Sequence, residues 1–184
     1  MAEEHSACID ALERLGSRRL ANLLADLAVC DPITMAAVDL ALAEGQGTEQ
    51  LVATVTEQVG AISRLEGFLS RYEASVLQRK LDLLRDAIRG PLAEADVEAA
   101  VEKMWSLLRL AESVFENAAD GDDWISGLFE TAVADLAGLY GRTPILDLPR
   151  LVERTRAAVD ADAYGITKPS AEGSVRGDWT RPRC

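Results

Sequence analysis

The chain has 184 residues, enough for one domain or two small ones, and its 48% apolar and 27% charged residues are typical of globular domains. Its one histidine, His5, lies near a terminus, which excludes most histidine-based catalytic triads, histidine-rich metal sites and Glu-x-x-His di-iron bundles. The formal net charge of −12 disfavours nucleic acid and anionic membrane surfaces as main partners, because an acidic body repels phosphate groups.

The cysteines and the hydropathy of the chain predict a reduced, cytoplasmic protein of bacterial type. Cys8, Cys30 and Cys184 are odd in number and far apart, unlike the even and regularly spaced cysteines of a disulfide framework. No stretch reaches the roughly 18 consecutive apolar residues that a membrane helix needs. The acidic first residues also lack the pattern of a signal peptide.

Apolar residues recur at spacings of three and four, with glycine and proline at the boundaries, and this pattern predicts seven or eight helices. The first covers about Ala7 to Leu15 and stops at Gly16, and the second begins at Ser17. The second is expected to bury four leucines: Leu20, Leu23, Leu24 and Leu27. The third begins at Asp31-Pro32, where a capping residue precedes a proline at the first helical position, and ends at Gly45.

The later helices follow the same rules. Thr48 is expected to cap the fourth, and Gly90-Pro91 is expected to end the fifth. The sixth runs from Asp96 to about Ala118 along one continuous apolar face. The seventh covers Trp124 to Tyr140, and an eighth begins near Pro149.

The connections between these helices are short, which makes sequential helices pack antiparallel. Residues 1–165 are therefore predicted to form one all-α domain of antiparallel helical hairpins, either a closed bundle or a short tetratricopeptide-like (TPR-like) solenoid. The segment 166–184 differs, because it has four basic against two acidic residues, two glycines, two prolines and no apolar period. It is predicted to be a disordered basic tail.

Part of the sequence resembles a known family. The residues that carry the resemblance are Leu15-Gly16, Arg19-Leu20-Ala21, Leu23-Leu24, Met104-Trp105-Ser106-Leu107-Leu108-Arg109-Leu110-Ala111-Glu112-Ser113-Val114-Phe115-Glu116 and Asp162-Ala163-Tyr164-Gly165. Over about residues 9–165, the chain resembles an uncharacterised bacterial family of unknown function whose members begin with an all-helical, TPR-like region. The resemblance implies no activity, cofactor or catalytic residue. It also implies further helices in relatives, so the dissimilar tail raises the alternative of a truncated or frameshifted chain.

An acidic loop is the first candidate site. Asp120, Asp122 and Asp123 place three carboxylates within four residues, a set that can bind a hard divalent cation. A calcium loop that started at Asp120 would need glycine at position six and an acid at position twelve, and those positions hold Ile125 and Thr131. The alternative is that these acids cap the following helix and favour its positive end.

The second candidate lies on the predicted sixth helix, where Trp105, Arg109 and Glu112 share one side. An aromatic ring beside a guanidinium could hold the carboxylate of a peptide. The alternative is a tryptophan in the core, flanked by an Arg–Glu pair on the helix surface. The residues assigned to partner binding are Trp105, Arg109, Glu112, Asp122 and Asp123.

These observations favour a non-catalytic helical scaffold or partner-binding module that acts on an unknown protein or peptide. No cofactor and no catalytic residue is predicted. Self-association is a further expectation, because a short solenoid has unfinished ends that can pair. The alternative function is a metal-dependent enzyme that uses Asp120, Asp122 and Asp123. A helix-turn-helix protein that binds nucleic acid is disfavoured by the net charge.

Overall fold

The computed structural model describes Ile9 and residues 11–65, 67–117 and 124–142, all within one contact unit. These ranges contain seven α-helices of seven residues or more and no β-strand. The helices are α1 (Ser17–Cys30), α2 (Pro32–Gln46), α3 (Thr48–Ile62), α4 (Arg71–Ala87), α5 (Val97–Leu108), α6 (Ala111–Asn117) and α7 (Trp124–Arg142). The predicted all-α class with about seven helices is confirmed. The predicted eighth helix and basic tail lie outside the described residues.

Asp31 starts α2 as the sequence predicts. Its carboxylate accepts hydrogen bonds from the backbone N–H groups of Ile33 (3.2 Å) and Thr34 (3.0 Å), and Pro32 occupies the first helical position. The hydroxyl of Thr34 also donates to this carboxylate. These hydrogen bonds, chiefly that of the Thr34 side chain, lower the pKa of Asp31 because they stabilise its charged form. The cap therefore fixes the sharp corner between α1 and α2.

The end of α2 differs from the prediction. Gly45 lies inside the helix, which continues to Gln46, and Gly47 ends it with a φ of +115°. Gly47 also occupies the N-cap position of α3, so Thr48 is the first residue of α3 and not its cap. Two glycines lie two residues apart here, and only the backbone conformation decides which one ends the helix.

Gly90-Pro91 is predicted to end the fifth helix, and the structure ends it slightly earlier, with a π-helical turn that contains both residues. Helix α4 stops at Ala87, and a π-helical turn, Ile88–Leu92, follows with Pro91 inside it. The wider turn accommodates a proline, which has no N–H to donate to the preceding turn. Ile88 and Leu92 both remain fully buried, so the apolar stripe continues through the π turn.

The predicted sixth helix is two helices, α5 and α6, separated at Arg109 and Leu110. Trp105 and Leu110 are both buried, at 5% and 3% exposure. Leu107 of α5 is also fully buried, so the core surrounds α5 on more than one side and continues past the break to Leu110.

The core lies among the later helices. Helices α4, α5 and α7 contact one another, and α6 packs on α7. The largest fully buried side chains include Phe129 of α7, Leu81 and Leu84 of α4 and Met104 of α5. The loop before α4 is also tied to this region, since the N–H of Leu69 donates to the carbonyl oxygen of Asn117 over 2.8 Å. Most of the largest fully buried side chains therefore lie between α4 and α7 along the chain.

Helix α1 lies at the edge of the fold and packs mainly on α2. The sequence predicts buried leucines on α1, and this prediction is wrong for three of them. Leu23, Leu24 and Leu27 are 44%, 48% and 50% exposed, and Ala28 is the buried residue of the helix. Around the helix, Leu23 lies about 140° from Ala28, Leu27 about 100° and Leu24 about 40°, so the exposed leucines extend from beside the buried Ala28 onto the open side of α1.

Candidate functional site

Trp105 is part of the core. Its side chain is 5% exposed, and its indole N–H donates a hydrogen bond of 2.6 Å to the hydroxyl oxygen of Tyr140 on α7. A buried indole N–H needs such a partner, because an unpaired donor in the core is costly. The hydrogen bond therefore joins α5 to α7 at a point where their apolar faces already contact each other.

Arg109 and Glu112 lie at the surface. The Arg109 guanidinium donates to the Ser106 hydroxyl oxygen over 3.0 Å, and Glu112 lies in the first turn of α6. The two side chains form no ion pair with each other in the described structure, and they lie on either side of the break between α5 and α6. The structure thus buries the ring of Trp105 and leaves the two charged groups in solvent.

Asp120, Asp122 and Asp123 lie outside the described residues. Within residues 9, 11–65, 67–117 and 124–142, no group of three or more His, Cys, Asp or Glu side chains is placed to hold a metal ion. The partner-binding assignment of Asp122 and Asp123 stays a prediction.

Arg85 is the centre of a charge cluster that the sequence analysis missed. Its guanidinium lies 3.4 Å from a carboxylate oxygen of Asp82, 3.6 Å from Asp86 and 3.2 Å from Asp135. The contact with Asp135 joins α4 to α7, and both side chains are largely buried, at 16% and 20% exposure. Spacing along α4 could have indicated Asp82, but nothing in the sequence links Arg85 to Asp135.

The same cluster includes Arg89, whose guanidinium donates to the carboxylate of Asp86 over 2.9 Å. This hydrogen bond, with the negative charges of Asp86 and Asp135, raises the pKa of Arg89. The carboxylates surround a fixed guanidinium, which occupies the position that a bound cation would need. The cluster therefore acts as a connection between helices and does not offer an open metal site.

A shallow groove runs between α2 and α3. Its lining is mainly amide, hydroxyl and carboxylate side chains, together with Leu42 and two alanines: Asp39, Leu42, Ala43, Gln46, Gln50, Thr54, Glu57, Gln58 and Ala61. These groups can form hydrogen bonds with a ligand. They include no nucleophile paired with a base, so the groove provides no basis for a reaction.

The most unusual surface is apolar and belongs to the amino-terminal helices. Nine of the twelve exposed large apolar side chains in the described structure lie between residues 9 and 42: Ile9, Leu12, Leu15, Leu23, Leu24, Leu27, Val29, Met35 and Leu42. Single exposed apolar residues are ordinary, whereas a contiguous apolar surface indicates an interaction site. Leu23, Leu24 and Leu27 lie within two turns of one helix, and we call these three residues the leucine face of α1.

Comparison with known families gives one result. A family model described as a family of unknown function, DUF6880, matches residues 3–171. The chain belongs to DUF6880. This membership confirms the resemblance to a family of unknown function, while TPR-like character and bacterial origin stay predictions. No curated protein and no solved structure matches the chain significantly.

The match to DUF6880 extends over every described helix, so it includes both the leucine face of α1 and the Trp105–Tyr140 contact. The family description names no activity, so it supplies no catalytic residue to place on this fold. None of the helices in the described ranges has the length and apolar character needed to cross a membrane.

Proposed function

We propose that this DUF6880 protein is a non-catalytic helical module that binds a protein partner through the leucine face of α1. The observation that carries the proposal is the exposure of three leucines, between 44% and 50%, on a helix with a distinct polar side. Full burial of a leucine side chain is favourable by about 1.5–3 kcal/mol. A partner that covers three half-exposed leucines would therefore bind with a favourable free energy from this contact. Helices that bind partners present such a stripe at spacings of three and four.

The ionisable groups with shifted pKa values support a structural role. The pKa of Asp31 and that of Glu73 are lowered by hydrogen bonds at the starts of α2 and α4, and Asp86 raises the pKa of Arg89. Shifted pKa values often mark catalytic groups, but each of these three shifts is caused by a helix cap or an ion pair. In the described residues, these pKa shifts therefore favour a role in stabilising the fold over a role in acid–base catalysis.

Affinity purification with matched variants tests this proposal. The double variant Leu23→Gln/Leu27→Gln removes apolar contact area from the leucine face, and Val29→Gln changes an exposed residue of α1 away from that face. We expect the double variant to recover at least about tenfold less partner, since two lost apolar contacts cost more than 1.4 kcal/mol. Val29→Gln should recover the wild-type amount. Equal recovery by all three proteins would contradict the proposal.

A second contact area includes the charged residues assigned from the sequence. Arg109 and Glu112 are exposed and close together in sequence, and the hydrogen bond of Trp105 to Tyr140 joins α5 to α7. In this proposal the two charged groups, together with Asp122 and Asp123, form a polar contact area that is separate from the leucine face. Rim charges of this kind affect association rate and salt dependence more than affinity.

A further inference from the structure

We infer that the partner of the leucine face is a second copy of this chain, docked antiparallel, α1 against α1. The inference rests on the proposed function and adds the identity of the partner. Its basis is the order of apolar and charged residues along α1. When two copies of α1 run in opposite directions, leucines meet leucines and positive charges meet negative charges.

The apolar side of α1 follows the spacing of a two-helix seam. Leu20, Leu23 and Leu27 are three and four residues apart, and Leu24 widens the seam on one side. Leu20 is partly exposed, whereas the other three leucines are close to half exposed. A helix with the same pattern can place its own leucines between these, so a second α1 is a shape match for the first.

The charges beside the seam define the direction of the pairing. Arg19 and Asp26 are both exposed and lie seven residues apart, on the same edge of α1. About 10.5 Å of helix axis separates them, which is too far for an ion pair within one chain. In an antiparallel pair, Arg19 of one copy lies beside Asp26 of the other, and the same contact occurs twice by symmetry.

The opposite arrangement is unfavourable. A parallel pair would place the arginines at positions 18 and 19 of both copies together, at the positive ends of two helices. The antiparallel pair instead brings these arginines next to Asp26 and Asp31 near the other end of the partner helix. The helix dipoles and the side-chain charges therefore favour the same direction.

The expected strength follows from the size of the contact. Helix α1 has 14 residues, about 21 Å in length, so one pair of helices buries less than the roughly 800 Å² per partner of a standard interface. We expect a reversible dimer that forms over a concentration range of about 1–100 µM.

Sedimentation equilibrium of the full chain under reducing conditions tests the inference, since reduction excludes a disulfide through the exposed Cys30. Arg19→Asp and Asp26→Arg each place like charges together at two symmetric positions. Each is expected to raise the dissociation constant about tenfold, whereas the double variant Arg19→Asp/Asp26→Arg restores it to within about threefold of wild type. Both substitutions suit the helix dipole, so neither should weaken α1 itself.

Three results would overturn the inference. They are a wild-type protein that stays monomeric at every concentration, single variants with the dissociation constant of wild type, or a double variant whose dimer is no tighter than those of the single variants. If the protein is a monomer and the backbone amide hydrogens of α1 exchange slowly, we would conclude that another part of the same chain covers the leucine face. A monomeric protein whose Leu23→Gln/Leu27→Gln variant still loses recovered partner would refute the dimer and leave the proposed function standing.

Discussion

At the scale of the residue, the hydrogen bond between Trp105 and Tyr140 is the clearest polar contact inside the fold. The indole lies in the core, and the phenol of Tyr140 reaches it from α7. Sequence periodicity identifies Trp105 as a residue of an apolar face, but it cannot identify Tyr140 as the acceptor, because the two residues are 35 positions apart.

Removal of that acceptor should destabilise the protein. Tyr140→Phe keeps the ring and leaves the indole N–H of Trp105 without this partner, which should lower the free energy of unfolding by about 1–2 kcal/mol. Tyr72→Phe is the matched control, since Tyr72 is 71% exposed and should change stability little. Chemical denaturation of both variants measures the difference, and equal stabilities would show that the hydrogen bond is not structurally important.

Asp31 should give the protein a charge-dependent contribution to stability. Its pKa is lowered in the folded state, so its charged form favours folding at pH values above its ordinary pKa of 3.8. This contribution is lost as the pH falls below 3.8 and through the lower pKa of the folded state. Asp31→Asn retains a capping oxygen but no charge, so wild type should be the more stable protein at neutral pH and lose that advantage in acid. A constant difference across pH would contradict this.

At the scale of the element, helix ends depend on backbone conformation more than on residue type. The sequence places glycine at both positions 45 and 47, and either could end α2. The structure uses Gly47, whose φ of +115° is strained for any residue with a Cβ, while Gly45 continues the helix. The pattern thus predicts the helix and its approximate length, but not which of the two glycines ends it.

Alanine substitutions at the two glycines should have opposite effects. Gly47→Ala should lower the free energy of unfolding by about 1–2 kcal/mol, because alanine rarely adopts this conformation. Gly45→Ala should raise it by up to about 1 kcal/mol, since alanine favours a helix interior and nothing lies within 4 Å of the added Cβ. Thermal unfolding of the two variants measures the signs. A loss of stability in Gly45→Ala would contradict the position of Gly45 inside α2.

At the scale of the whole molecule, helices with similar apolar periodicity differ in how much of their apolar side is buried. The stripes predicted for α4 and α7 are buried, including Leu77 and Leu81 in α4 and Leu136 in α7, because these helices contact neighbours on several sides. The leucine face of α1 has an equally regular pattern but stays exposed. A pattern identifies an apolar side, whereas burial depends on how many helices surround it, which sequence alone does not define.

The predicted site at Trp105, Arg109 and Glu112 also shows what a sequence pattern leaves undefined. Helical spacing places Trp105, Arg109 and Glu112 on one side of a continuous helix, but the turn at residues 109 and 110 places Glu112 on a separate helix, α6. No proline or glycine marks that turn in the sequence. Helical spacing alone therefore does not predict the break between α5 and α6.

The stability of Leu27→Gln, measured below 1 µM where any self-association is weak, tests most directly whether the leucine face is open for binding. We expect the free energy of unfolding to stay within about 0.5 kcal/mol of wild type, as for other surface substitutions. Leu81→Ala, at a fully buried leucine, should cost about 2–5 kcal/mol in the same experiment. A loss of 2 kcal/mol or more in Leu27→Gln would show that Leu27 is buried in the isolated chain, and the leucine face would then not be a binding surface.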